Sequence, residues 1–271
     1  MSLADKIKVA VERYRLLFEL YDEVVVSISG GKDSTCILEL GRMAAAAAGR
    51  RVQAAFWDQE IQYPETVAYL ARLQSAGAID LTWYCVPIRS GNAWDTADPH
   101  WYPWAPEARE VWARAVPAGA NTVGPVGYRP QTVEERLSLG EKIHHIAHAR
   151  LPRTYCETLG RRTEESPVRK AMGKAIGWHQ APNLAKRRYA AKAYPILEWT
   201  TREVWQFIRD YELDWNRAYL RMWQGGLSAH QSRIGQWFGE EPSIALHLMR
   251  KLAPEPPCAR VRGCTSNPSR R

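Results

Sequence analysis

The chain has 271 residues, of which 45% are hydrophobic and 24% are charged, so it is long enough for one sizeable core and ordinary in composition for a globular protein. No apolar run approaches the ~20 residues that a membrane-spanning helix needs, and charged residues interrupt the N-terminus, so we expect neither a membrane span nor a signal peptide. The formal net charge of +8 equals that of residues 150–192 alone, where eleven Lys and Arg stand against three Glu.

Near the N-terminus the sequence predicts an amphipathic helix followed by a short strand. Ser2 and Asp5 have the spacing of a capping box, and apolar residues recur after them at every third or fourth position. Val24, Val25 and Val26 are β-branched and indicate a buried strand. Two glycines and a polar run come next, which is typical of a tight turn that opens a helix.

The segment that follows this strand, residues 29–34, reads Ser-Gly-Gly-Lys-Asp-Ser and predicts a phosphate-binding loop. Its glycines allow the backbone to approach a ligand closely, and the amides and dipole of the first helical turn favour an anion. Its two serines add hydroxyl groups, and Lys32 adds a positive charge. A P-loop is excluded because Asp33 separates the lysine from the serine, and the Gly-x-Gly-x-x-Gly motif of dinucleotide sites is absent.

Helices and strands alternate after this loop. The pattern predicts a helix over residues 34–48, a strand over 52–57, a helix that begins at Pro64 and a strand over 81–86. This order indicates a parallel sheet with right-handed crossovers. Because ligands bind beyond the carboxyl ends of such strands, we expect Asp-Gln-Glu at 58–60 to face the same site as the loop.

Residues 88–130 break this alternation. They contain four tryptophans among many prolines and glycines, and we interpret them as an ordered insertion. The tryptophans are expected to form a small core of the insertion itself, with a base-stacking platform as the alternative. A further helix is predicted over residues 132–148, where His144 and His148 are interpreted as exposed surface rather than a metal site.

A late strand is predicted over residues 154–159, and it leads into a loop at 160–166 that carries Arg162 and Glu165. Further along, Thr200 and Glu203 have the spacing of a second capping box. The helix that they open is expected to bury an apolar stripe made of Val204, Trp205 and Ile208.

These motifs carry a resemblance to known families. Ser-Gly-Gly-x-Asp-Ser after a hydrophobic strand resembles the pyrophosphate-binding loop of the PP-loop ATP pyrophosphatases. Two later segments resemble the phosphoadenosine-phosphosulfate (PAPS) reductase family of that superfamily: Gly160-x-Arg162-x-x-Glu165-Ser166 with Arg169 beyond it, and Tyr194-Pro195-Ile196-Leu197-Glu198-Trp199-Thr200 leading to Glu203-Val204-Trp205.

Within that family the chain is similar to the IbrA-like branch. The matching stretches are Asp58-Gln59-Glu60 with Thr66, Pro87 and Asn92, Trp101 and Trp104, Trp112-Ala113-Arg114, Gly226-Leu227-Ser228, Gln231-Ser232-Arg233-Ile234 and Phe238-Gly239. The resemblance covers roughly residues 24–255.

The resemblance implies an α/β fold of the adenine-nucleotide alpha-hydrolase-like (PP-loop) type, with a twisted, mainly parallel sheet flanked by helices. We expect a nucleotide-binding domain over residues 1–200, with the insertion at about 88–130, and a C-terminal helical extension with a basic tail over 201–271. The implied activity is cleavage of ATP to AMP and pyrophosphate, which adenylates an acceptor with the help of Mg²⁺.

The expected site follows residue by residue from the matching motifs. The nucleotide-binding residues are Ser29, Gly30, Gly31, Lys32, Asp33, Ser34, Asp58, Gly160, Arg162, Glu165 and Arg169. Of these, Lys32, Asp33 and Arg162 are assigned to the reaction. Asp33 would fix the turn or reach Mg²⁺ through water, and Asp58 would contact the nucleotide or its metal. Arg162 and Arg169 would meet phosphate charge, and Glu165 would orient Arg162. The sequence indicates no general base and no metal ligand set.

Two other functions stay open. The chain could be a sulfonucleotide reductase or sulfur-transfer enzyme that acts through Cys156, Cys258 or Cys264, or a regulatory module that binds a nucleotide without turnover. Reductases of the family carry a Glu-Cys-Gly-Leu-His-like motif near the C-terminus, and some hold an iron–sulfur cluster between paired cysteines. This tail has neither pattern, so an iron–sulfur cluster is not expected.

Location and partners complete the expectations. Five cysteines, an odd number, without a secretory signal favour a reduced, cytoplasmic protein. The charge of residues 150–192 predicts a polyanionic partner in addition to the nucleotide, either a nucleic acid, in which case the reaction would modify nucleic acid, or an acidic protein.

Overall fold

The computed structural model describes residues 1–91, 99–136, 154–183 and 190–234. The α-helices of these ranges are α1 (Leu3–Leu20), α2 (Lys32–Ala47), α3 (Pro64–Ala76), α4 (Pro167–Ile176), α5 (Thr201–Asp210) and α6 (Ala218–Gln224). The strands are β1 (Glu23–Ser27), β2 (Gln53–Trp57), β3 (Asp80–Tyr84), β4 (Ser90–Gly91), β5 (His100–Trp101), β6 (Tyr155–Thr158), β7 (His179–Gln180) and β8 (Ala191–Ala193). Within the same ranges, no helix combines the length and the apolar character of a membrane-spanning segment.

Six of the strands form one sheet in the order β3-β2-β1-β6-β8-β7. Neighbours pair in parallel from β3 to β8, and only β7 runs antiparallel to β8. Strand β1 therefore lies in the interior of the sheet, between β2 and β6. The predicted alternation of β1, α2, β2, α3 and β3 is confirmed, as is the mainly parallel α/β class.

Local sequence signals place the helix ends correctly. The hydroxyl of Ser2 accepts a hydrogen bond from the Asp5 amide at 3.2 Å, and the Asp5 carboxylate accepts one from the Ser2 amide at 3.2 Å. Thr200 and Glu203 form the same reciprocal pair at the start of α5. Pro64 is the first residue of α3, where its missing N–H costs nothing.

The main core lies between the sheet and the helices α1, α2 and α5. From α5 it takes Val204 and Ile208, as predicted, together with Phe207, while Trp205 is only half-buried. A second cluster of buried residues surrounds α6; its members are Ile61, Tyr63, Ala218, Tyr219, Met222, Leu227 and Ile234. Helix α5 thus packs into the same core as the sheet. The domain division between residues 200 and 201 stays a prediction.

The tryptophans of the insertion do not form a core of their own, and that expectation is wrong for the residues described. Trp104 is fully buried in the main core, and Trp112 packs against it with the two rings edge to face at 5.2 Å. Trp101 packs instead on the cluster around α6. Large rings bury more area on a core that already exists than in a short loop. Trp94 lies outside the described residues.

The part of the predicted 132–148 helix that the structure describes, residues 132–136, is not helical. Residues 132–136 form bends and a turn, because the Glu135 carboxylate accepts bonds from the amides of Gln131 and Thr132. The remainder of that segment, with His144 and His148, lies outside the described residues.

Candidate functional site

The glycine loop, residues 29–34, lies at the carboxyl end of β1 and runs into the first turn of α2. From β1 the chain proceeds to β2 and β3 on one side of the sheet, and later returns as β6 on the other side. Open parallel sheets bind their ligands in the crevice at such a change of direction, which here is beyond the carboxyl ends of β1 and β6. The loops that follow β1 and β6 both lie there.

The backbone of the glycine loop is fixed by its own serines. The Ser34 hydroxyl donates to the Gly31 carbonyl at 2.9 Å and lies 3.3 Å from the Ser29 amide, which donates to it. The Ser29 hydroxyl accepts from the Gly31 amide at 3.3 Å. Gly30 has a φ of +76°, a conformation that glycine adopts without strain. The two serines therefore shape the loop from within.

Lys32 and Asp33 open α2 and are held by residues that are distant in sequence. The Lys32 ammonium is buried, 3.3 Å from the Asp33 carboxylate, and donates to the Ser232 carbonyl at 3.2 Å. The other oxygen of Asp33 accepts from Nε of Arg162 at 2.6 Å. Asp33 thus bridges a lysine and an arginine rather than accepting backbone bonds of the turn.

Arg162 is only 2% exposed, and every arm of its guanidinium has a protein partner. Besides Asp33, it reaches the Glu164 carboxylate at 3.0 Å, the Trp199 carbonyl at 3.3 Å and the Thr201 hydroxyl at 3.3 Å. Burial by itself lowers the pKa of the guanidinium, but the charges and hydrogen bonds of the neighbouring carboxylates outweigh it and raise the pKa. Arg162 is a permanent cation that ties the loop after β6 to the start of α2.

Glu165 and Arg169 form a separate ion pair one turn further along. The Glu165 carboxylate accepts from the Arg162 amide at 3.0 Å and pairs with the Arg169 guanidinium. It therefore orients the backbone of Arg162, whereas Asp33 and Glu164 orient the side chain. Arg169 is partly exposed, so it is the more accessible of the two arginines that were expected to meet phosphate.

Gly160 is required by a close approach between the two loops. A Cβ atom at this position would lie 2.8 Å from the carbonyl carbon of Asp33 and 2.9 Å from the amide nitrogen of Ser34. Real Cβ atoms do not come this close to a backbone, so only glycine fits without moving one of the loops. The site thus depends on contact between the loop after β1 and the loop after β6.

Asp58 lies at the end of β2, as predicted, but its carboxylate is used within the protein. One oxygen accepts from the Trp83 indole at 2.7 Å and pairs with Arg114, and the other accepts from the Glu60 amide at 2.8 Å. The Glu60 carboxylate is also buried, where burial raises its pKa, and it accepts from the Trp104 amide at 2.9 Å. This group of side chains anchors the insertion to the sheet.

A cover segment, residues 216–234, packs on the glycine loop. The Tyr219 hydroxyl accepts from the Lys32 amide at 2.8 Å, and the Asn216 amide group donates to the Gly30 carbonyl at 3.0 Å. A Cβ atom on Gly31 would lie 3.4 Å from the Tyr219 hydroxyl. Burial, with the Asp33 charge, raises the pKa of Tyr219, so its hydroxyl stays protonated. No spacing or motif in the sequence indicates these contacts.

Neither a metal centre nor a reactive thiol is found in the part of the chain that the structure describes. No group of three or more His, Cys, Asp or Glu side chains is arranged there to hold a metal ion. Cys36, Cys85 and Cys156 are free and buried, and burial raises the pKa of each thiol. Buried thiols of this kind are poor nucleophiles. Cys258 and Cys264 lie outside the described residues.

The structure brings the predicted residues together in two groups and a neighbouring pair. The glycine loop, Gly160 and Arg162 form one site at the crevice, and Glu165 with Arg169 adjoins it. Asp58 belongs to the second group, with Arg114. Glu164 was not singled out by sequence, although it lies only two positions from the arginine that it binds.

Comparison with known proteins gives both related sequences and solved structures of similar fold. The chain is 26% identical to the uncharacterized protein YbdN of Escherichia coli (strain K12) over 282 residues, which covers 96% of this chain and 66% of YbdN. It is 30% identical over 103 residues to the phosphoadenosine 5'-phosphosulfate reductase of Yersinia pseudotuberculosis serotype O:1b (strain IP 31758), covering 34% of this chain and 40% of the reductase. The chain therefore spans only part of the length of these relatives. No family model matches the sequence.

Among solved structures, the fold is similar to that of PAPS reductase from Candida auris, determined as a phosphate complex. The TM-score is 0.50 at 14% identity, over 88% of this chain and 95% of the reductase. The fold is therefore the helix-flanked, mainly parallel sheet that this reductase also has. The related sequences include PAPS reductases, which are enzymes. The IbrA-like branch stays a prediction.

Proposed function

We propose that the chain is an enzyme that binds ATP through the glycine loop and cleaves it to AMP and pyrophosphate, transferring the adenylyl group to an acceptor. The observation that carries the proposal is the position of this loop. Its glycines and the first amides of a 16-residue helix lie beyond an interior strand, at the crevice where the sheet changes direction. Backbone amides at such a helix end, with the helix dipole, suit a phosphate group.

Each loop residue would have a distinct role toward the phosphates. Gly30 and Gly31 would let the backbone approach them, and the amide of Lys32 would donate to a phosphate oxygen in place of the Tyr219 hydroxyl. The Lys32 ammonium would supply charge at the bond that breaks. Positioning and charge neutralisation of this kind are the main contributions that proteins make to phosphate transfer.

The remaining predicted residues would act less directly. Ser29 and Ser34 would hold the loop, Asp33 and Arg162 would fix the start of α2, and Arg169 would reach phosphate from the rim. The carboxylates offered to Mg²⁺ by sequence, Asp33 and Asp58, are both engaged by arginine. They do not present a free oxygen pair, so a magnesium ion would depend on the phosphates of ATP for its other ligands.

The test is the affinity for ATP, measured by calorimetry, together with the release of pyrophosphate. Lys32→Gln should weaken ATP binding about ten- to a hundredfold, because a charged hydrogen bond contributes ~1.5–3 kcal/mol and each ~1.4 kcal/mol is a factor of ten. Lys8→Gln, an exposed change on α1, is the matched control. Unchanged ATP affinity in Lys32→Gln and in Gly31→Ala would reject the site.

A sulfonucleotide reductase is the second candidate, and the similarity to PAPS reductases favours it. Against it, the Cys156 thiol is fully buried, so the electrons would have to pass through cysteines outside the described residues. Reduction of PAPS by the purified chain with a dithiol donor would establish this function instead. ATP binding without any product would indicate a regulatory module.

The nucleic-acid partner would rest on lysines that the nucleotide site does not use. Lys170 and Lys174 are exposed on α4, while residues 186–188, Lys-Arg-Arg, lie outside the described ranges. If about five cations meet phosphates, the log–log salt slope for duplex DNA should be near −4.5, at ~0.9 per phosphate. Replacing residues 186–188 by alanine should make this salt slope less negative by nearly three units. Salt sensitivity with an acidic protein, but no retention of DNA or RNA at ~50 mM salt, would favour the protein partner.

A further inference from the structure

A groove of about 620 Å³ opens between α5 and the cover segment. Its volume falls in the range of sites for small molecules, ~300–1,000 Å³. None of its lining residues was predicted as part of the nucleotide site. They are Thr201, Arg202, Trp205, Gln206, Arg209, Trp223, Ala229 and His230.

Two indole rings form the apolar wall of this groove. The rings of Trp205 and Trp223 meet at 64° with their centroids 5.0 Å apart. Trp215 packs on both of them at 5.6 Å, and Tyr219 lies 5.0 Å from Trp205. A cluster packed in this way keeps its orientation, and indole faces are good surfaces on which a flat ring can stack.

The polar lining of the groove is basic. Arg202 and Arg209 lie on the exposed side of α5, and His230 approaches from the cover segment. No carboxylate is among the lining residues that the structure describes; Asp210, which pairs with Arg209 at 2.8 Å, stands outside the lining. Two guanidinium groups beside an aromatic wall are complementary to a ring that bears a negative charge.

We infer that this groove is a second binding site, which takes a small molecule that combines a flat ring with an anionic group. The ring would stack on Trp223 and Trp205, and the anion would be bound by Arg202 and Arg209. This site is additional to the proposed ATP site, and it does not depend on ATP binding being correct.

The groove is separate from the glycine loop but connected to it by two contacts. The Thr201 hydroxyl, at one end of the groove, accepts from Arg162, which holds Asp33. Trp205 packs on Tyr219, whose hydroxyl receives the Lys32 amide. By either route, two residues would separate a molecule in the groove from the loop, so it would not touch the loop.

Naphthalenesulfonate is the probe for this groove, and its affinity for the full chain is measured by calorimetry. Naphthalenemethanol, which has the ring without the charge, and methanesulfonate, which has the charge without the ring, are the comparison compounds. Naphthalenesulfonate should bind more tightly than either. Equal binding of naphthalenemethanol would overturn the role of the arginines.

Variants locate the probe in the groove. Arg202→Gln with Arg209→Gln should weaken the probe roughly two- to thirtyfold, because exposed ion pairs contribute ~0.2–1 kcal/mol each. Trp223→Leu should weaken it roughly five- to a hundredfold, given ~1–3 kcal/mol for stacking. Arg15→Gln, an exposed Arg→Gln change on α1 outside the groove, is the control. A loss in the control as large as in the double variant, or no loss in Trp223→Leu, would overturn the assignment.

Competition separates the groove from the ATP site. Pyrophosphate at saturation, which offers phosphates to the glycine loop but has no flat ring for the groove, should leave the probe bound. Complete displacement by pyrophosphate would show that the probe occupies the glycine loop instead. If the chain does not bind ATP at all, the proposed function fails, while the variants in Arg202, Arg209 and Trp223 still decide the groove.

Discussion

Replacement of Arg162 by alanine would remove the cation that holds the two loops of the crevice together. The side chain is 2% exposed and pairs with Asp33 at 2.6 Å and with Glu164 at 3.0 Å. Truncating one member of a buried ion-pair network costs about 3–5 kcal/mol. Asp33 would keep only Lys32 at 3.3 Å, and Glu164 would lose its arginine. For chains of about this size each kcal/mol lowers the melting temperature by about 2–4 °C, so we expect a loss of roughly 6–20 °C.

The measurement is denaturant unfolding followed by tryptophan fluorescence, with thermal melting alongside. Arg15→Ala is the control, because this arginine forms an exposed pair with Glu12 and its loss should cost no more than ~0.5 kcal/mol. The double variant with Asp33→Ala removes both charges and should be less destabilised than the sum of the single variants. Arg162→Ala as stable as Arg15→Ala would refute a structural role for this buried network.

Three further predictions concern other parts of the chain. Gly160→Ala should lower stability by about 1–3 kcal/mol and weaken ATP binding in calorimetry, because the new Cβ meets the Asp33 backbone at 2.8 Å; unchanged values for both would contradict the close contact. Burial by itself would raise the pKa of Glu203, but hydrogen bonds from Lys6 and Thr200 outweigh it and hold this pKa below its ordinary 4.5. The charged carboxylate therefore stabilises the folded state above about pH 4.5, and this stabilisation is lost as the pH falls through the folded-state pKa. Glu203→Gln should therefore be less stable than the parent in urea at neutral pH, with a gap that narrows in acid; a gap independent of pH would refute this. Cys258→Ser with Cys264→Ser should leave pyrophosphate release intact, and its loss with ATP still bound would support the reductase instead.

The parts of the fold that sequence predicts well are those whose causes are local. A capping box needs two residues three apart, and a glycine turn between a strand and a helix is visible in a handful of positions. The start of α1, the glycine loop and the start of α5 were found for this reason. The alternation that gives the parallel sheet is also local, because the spacing of hydrophobic residues within each segment indicates a strand or a helix.

The parts that sequence missed depend on residues far apart in the chain. Arg162 was expected to meet phosphate, but its strongest partner, Asp33, lies 129 positions away. The Tyr219 hydroxyl reaches the Lys32 amide across 187 positions. No periodicity or spacing carries such a contact. The expectation that the tryptophans of the insertion form their own core was wrong for the same reason, because composition does not indicate which core a ring packs into.

The charges around the glycine loop explain how a site with many cations can still depend on backbone amides for phosphate. Lys32 and Arg162 are balanced by Asp33 and Glu164, so the formal charges of this network sum to zero. Arg162 is saturated by its partners, whereas the Lys32 ammonium has one carboxylate at 3.3 Å and a neutral carbonyl. A lysine ammonium on its flexible stem can change direction more easily than a guanidinium can break its hydrogen bonds to two carboxylates. Affinity for phosphate in this loop would therefore come from the amides at the start of α2 and from Lys32, with Arg162 keeping both in place.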